Sequence, residues 1–118
     1  MEDLAPDITR QRLLIEGFYE AEVDEASIRG YFVHLAATLD LRTYGEPMIY
    51  SPGGTGRDEN QGYDAFQPLI DSGISLYVWT ARRFLAAVVF TCKSFDADAA
   101  RQATIDHFAM TSLVSEPF

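Results

Sequence analysis

The stretch from Asp71 to Cys92, DSGISLYVWTARRFLAAVVFTC, constrains the fold more than any other part of the chain. Ile74 to Trp79 is rich in β-branched and aromatic residues and Phe84 to Phe90 is an unbroken apolar run, compositions that suit strands. Thr80 to Arg83 forms a polar connection between them, short enough for a hairpin. A ribbon of this kind brings Ser72 and Cys92 to the same end. It therefore predicts one site shared by a hydroxyl and the chain's single thiol.

The rest of the chain supplies partners for that ribbon. Leu13, Leu14 and Ile15, at the centre of Arg10 to Tyr19, suit a buried strand. Asp24 is positioned to cap a helix whose apolar stripe is Ile28, Phe32, Leu35 and Leu39, with Tyr31 alongside. Thr43 to Tyr50 reads as a second strand, and Pro47 places it at an edge or a bulge. Ser51 to Gly62 holds four glycines and no apolar residue. It is expected to be a long mobile loop, read equally as a lid or as a solvated insertion. Tyr63 to Ile70 forms a third strand that delivers Asp71 and Ser72. After Cys92, Asp96 caps a second helix with Ala97, Ala100, Thr104 and Phe108 on one face. His34 and His107 lie beside the two helical stripes and read as structural. Thr111 to Phe118 leaves room for at most one short edge strand.

This order predicts a single domain over residues 1–118, an α+β two-layer sandwich of an antiparallel sheet with two helices on one face. A sheet carrying Trp79, Phe84 and Phe90 needs cover on its second face, which predicts a homodimer or higher oligomer. Eighteen acids against nine bases give a net charge of −9. That balance argues against nucleic acid or an anionic membrane as partner and favours a cationic ligand. The N-terminus lacks the basic-then-apolar order of a secretory signal, no apolar run approaches the roughly 20 residues of a spanning helix, and the lone Cys92 allows no internal disulfide. A cytoplasmic protein is expected, and no metal site is read.

The central stretch resembles the bacterial S-adenosylmethionine decarboxylase family. Its members read Glu-Ser-His, three residues, His, one residue, Trp, and then Thr-Cys-Gly after a second strand. Asp71-Ser72-Gly73, Tyr77, Trp79 and Thr91-Cys92-Lys93 fall at those positions without a gap. The resemblance implies that the bond between Asp71 and Ser72 rearranges to an ester, that elimination leaves a pyruvoyl cofactor at Ser72, and that Cys92 protonates the product carbanion. It also implies subunits that pair through their sheets. Tyr77 stands where the family has the histidine that assists elimination, Gly73 replaces the histidine after the serine, and Thr80-Ala81 replaces the Pro-Glu expected to hold the ribose. A phenol, with an ordinary pKa of about 10, is a poor base at neutral pH.

Three readings follow from the resemblance and its departures. One is a diverged protein that binds and converts S-adenosylmethionine or a related amino-acid-bearing cation without self-cleavage, for instance as a carbon–sulfur lyase. The second is an authentic pyruvoyl decarboxylase, cut before Ser72 and serving polyamine synthesis. The third is a non-catalytic sensor or paralogue. The candidate catalytic residues are Ser72, Cys92, Asp71 and Tyr77, and the candidate substrate contacts are Trp79, Asp64 and Tyr63.

Overall fold

A computed structural model describes residues 1–51, 57, 59 and 61–118. Its elements are β1 (Gln11–Tyr19), α1 (Glu25–Thr38), β2 (Met48–Tyr50), β3 (Gly62–Leu69), β4 (Ser72–Trp79), β5 (Phe84–Thr91), α2 (Ala97–Phe108) and β6 (Met110–Pro117). The strands form one six-stranded sheet in the order β2-β3-β4-β5-β1-β6, and every neighbouring pair is antiparallel. The expected α+β class and the central hairpin are both present.

Alternation along the strands separates two faces. Leu13, Ile15, Ala65, Leu69, Ile74, Leu76, Val78, Leu85, Ala87 and Val89 join the buried helix residues Ile28, Tyr31, Phe32, Leu35, Ala100 and Phe108 in one core. The helices thus cover a single face. On the other face the rings are only partly covered: Phe18, Tyr77 and Phe90 are each about two-fifths exposed.

Local signals set the helix ends. The Asp24 side chain accepts from the Ser27 amide, and Ser27 reciprocates at the Asp24 amide, a capping box. At the far end the Asp40 amide donates to Ala37 and the Leu41 amide to Ala36, with Asp40 left-handed at φ 54°. This is a Schellman ending. It turns Leu41 toward the core and the side chains on either side of it outward. Asp96 caps α2 through the Asp98 and Ala99 amides, and left-handed Ala109 leads from α2 directly into β6.

Two strands differ from expectation. The second is only Met48–Tyr50, because Pro47 and the residues before it supply no ladder beyond a single bridge between Thr43 and Leu69. The terminal strand spans eight residues rather than a short stub; β1 supplies it with a partner along almost its whole length. The expected loop at 51–62 falls mostly on residues outside those described. Among the described residues, no helix is long and apolar enough to cross a membrane.

Tyr31 ties the two helices together. Thr104 donates to the Ala100 carbonyl, so its Oγ1 is left to accept from the Tyr31 hydroxyl 3.0 Å away. Complete burial of the phenol pushes its pKa up to about 12, the bond to Thr104 opposing part of that rise. The unfolded chain ionises near pH 10 while the folded one resists. Stability is therefore complete below pH 10 and falls as pH rises toward 12, by about 3 kcal/mol. Urea unfolding measured across that window should show this decline, and Tyr31→Phe should remove most of it.

Candidate active site

The β3–β4 connection consists of two residues, Ile70 and Asp71. Asp71 is left-handed at φ 58°, a conformation that aspartate tolerates better than most residues. The Ile70 amide donates to the Arg42 carbonyl at 2.8 Å, which fastens the segment after α1 to this turn. Ser72 pairs with Thr91 across β4 and β5, so Cys92 follows at the same end of the ribbon.

The chain beyond β5 is held by two devices. Thr91 Oγ1 donates to the Lys93 carbonyl, closing a tight turn around Cys92. The Gln11 amide group both donates to the Phe95 carbonyl and accepts from the Phe95 amide, each at 2.9 Å. Lys93 then reaches back, donating to the Asp40 carbonyl at 2.6 Å with the Asp40 carboxylate 3.6 Å away.

These segments enclose a pocket of about 350 Å³ lined by Asp40, Leu41, Arg42, Ile70, Asp71, Ser72, Cys92 and Lys93. Ser72 is half-buried and Cys92 exposed. Two acidic residues, Asp40 and Asp71, and two basic ones, Arg42 and Lys93, therefore line the pocket with a hydroxyl and a thiol, the Asp40 side chain standing fully exposed. Sequence reasoning found Asp71, Ser72 and Cys92. It missed Lys93 as a lining residue, and also Asp40 and Arg42, which reach the pocket because α1 ends at Thr38 with Leu39 as its cap.

The other candidates lie elsewhere in the protomer. Tyr77 follows Ser72 by five residues on β4, roughly 17 Å, and projects from the open face. Asp64 is its cross-strand neighbour, and together with Met48, Tyr50 and Phe66 they border a groove of about 170 Å³. Tyr63 packs partly buried against the core. Trp79 sits at the opposite end of the ribbon, where its ring lies 5.4 Å from Phe84, itself 5.2 Å from Phe18. These three rings line a pocket of about 300 Å³ with Glu59 and Arg82. One shared site for all seven candidates is thus not formed within the protomer. The parity of the strand was the available signal, since an odd spacing such as 72 to 77 puts side chains on opposite faces.

The histidines belong to the helix layer. His107 Nε2 lies 2.7 Å from the Ser27 carbonyl, with the exposed His34 ring 5.8 Å away, and neither lines the pocket. This bears on a pyruvoyl group. Ser72 and the left-handed turn before it match the first step of its formation, but no imidazole stands among the lining residues to take the α-proton of an ester. In this protomer the residues present do not fit the complete route to the group. Among the described residues, no three His, Cys, Asp or Glu side chains gather as a metal site.

Comparison with known proteins agrees with the architecture. The adenosylmethionine decarboxylase of Aquifex aeolicus superposes with a TM-score of 0.69 over 94% of this chain and 89% of that one, at 16% identity. The likeness is one of fold. No family model matches the chain, and no curated protein matches it.

Proposed function

We propose that this protein binds S-adenosylmethionine, or a related cation with an α-amino-acid head, in the pocket at Asp71, Ser72 and Cys92, and cleaves its carbon–sulfur bond. The observation carrying this reading is that two acidic residues, Asp40 and Asp71, and two basic ones, Arg42 and Lys93, line one cavity. An amino-acid zwitterion needs a cation for its carboxylate and an anion for its ammonium group. Arg42 can grip a carboxylate through two parallel hydrogen bonds. The decarboxylase-like fold and the acidic chain support the choice of a sulfonium.

A sulfonium is already a good leaving group, so positioning and one base suffice. Asp71 takes a proton from the carbon adjacent to the one bearing sulfur. The carbon–hydrogen pair becomes the new double bond, and sulfur departs as a neutral thioether with the carbon–sulfur pair. Ser72 and Cys92 line the site as hydrogen-bonding groups. Neither step passes through a pyruvoyl group. The partly exposed rings of Phe18, Tyr77 and Phe90 support cover of the open sheet face by a second copy of the chain, and a cytoplasmic setting suits the proposed substrate.

The test is to incubate the protein with S-adenosylmethionine and to follow both intact protein mass and small-molecule products. The expected result is an undivided 13.2 kDa chain, a thioether product, and binding weakened about tenfold in Arg42→Ala. Asp71→Asn should lower turnover by about two orders of magnitude. Two fragments meeting before Ser72 would replace this reading with that of a self-processed decarboxylase. Binding without product would leave a sensor, and absence of both would discard the assignment.

A further inference from the structure

We propose that β6 is a pairing edge for a second copy of this chain, joining two sheets side by side about a two-fold axis at Val114. Strand β6 ends the sheet order, bonded on one side to β1. An uncovered edge presents a row of amides and carbonyls to any passing strand, and proteins that stay apart blunt it with lysines, prolines or bulges. The other edge of this sheet is blunted by its length, since β2 has three residues after Pro47. The β6 edge is not. Its register shift lies at the start, where Phe18 faces Ser112 and Tyr19 faces Met110, and its only proline is the last residue, Pro117. Between them Ser112 to Glu116 runs regularly, without a lysine or arginine.

That free stretch is self-complementary about its midpoint. In an antiparallel pair, residues opposite one another share a face, so a two-fold axis at Val114 sets Val114 against its own copy, Leu113 against Ser115, and Ser112 against Glu116. The single charge of the stretch then meets a hydroxyl and not its equivalent in the other copy. Val114, 69% exposed, stands at the centre, beside its own copy. This self-match favours a second copy over an unrelated strand. The edge is distinct from the pocket, while the Val114 side chain projects on the open face of the sheet, opposite Glu16.

Cysteine cross-linking tests the register. In a Cys92→Ser background, Val114→Cys should oxidise in large part to a covalent dimer on a non-reducing gel. Ser112→Cys should stay mostly monomeric, because its two copies would be roughly 13 Å apart along the paired strands. Independently, Val114→Lys should raise the concentration for half-assembly at least tenfold by light scattering, with the circular dichroism spectrum unchanged. Equal cross-linking at 112 and 114, none at 114, or assembly of Val114→Lys indistinguishable from the parent would each overturn the proposal.

Discussion

Replacing Gly17 with alanine is expected to cost about 3 kcal/mol of stability and to loosen the terminal strand selectively. Gly17 lies in β1 between Leu85 of β5 and Leu113 of β6. A methyl group added there would stand 2.1 Å from the Ser112 carbonyl oxygen and 2.9 Å from the Leu113 Cα. The Met110 side-chain tip, at 2.7 Å, can move aside. The backbone of β6 cannot do so without breaking its ladder to β1. Urea unfolding should give the loss in free energy, and hydrogen exchange should show amides of residues 112–116 losing protection before those of β4 and β5. Wild-type stability together with unchanged protection at β6 would contradict the close approach of the two strands.

Phe108→Ala should be more damaging still, at about 3–5 kcal/mol, a large part of the 5–15 kcal/mol that holds a domain together. The ring is fully buried at the end of α2, 4.7 Å from Tyr31 and 6.4 Å from Tyr19. It therefore joins both helices to the last residue of β1. Its removal leaves a cavity among aromatic rings that cannot collapse without moving a helix. Around it the backbone is also fixed, since the amides of Glu20 and Ala21 both donate to the Phe108 carbonyl. Chemical denaturation should show the drop. Val33→Ala, at a site two-thirds exposed on α1, should change stability by no more than about 0.5 kcal/mol.

Sequence patterns carried the fold further than the site. The hairpin was legible because its two strands are dense in β-formers and its loop is short. Both helix starts were legible because Asp24 and Asp96 are strong caps. The eight-residue β6 was not, because half of Met110 to Pro117 is polar and the segment becomes a strand through its pairing with β1. Ser72 and Cys92 could be placed at one end of the ribbon from register alone. Asp40 and Arg42 could not, since nothing local in Thr38-Leu39-Asp40-Leu41-Arg42 marks where α1 stops; aspartate occupies the left-handed position where glycine would have announced it. Tyr77 and Trp79 were drawn toward Ser72 by motif spacing. Strand geometry instead carries them away along the sheet and onto its other face.

The strand order also governs when this molecule can acquire its shape. Because β1 lies between β5 and β6, it waits for partners that begin at Phe84 and Met110. During synthesis the β3–β4–β5 meander can close and take β1 on one side, while the other side of β1 stays unpaired until β6 has emerged. So much pairing between distant parts of the chain slows folding relative to a helical bundle of this length. It makes β6 part of the sheet's completion, because β6 is the partner of β1 on that side.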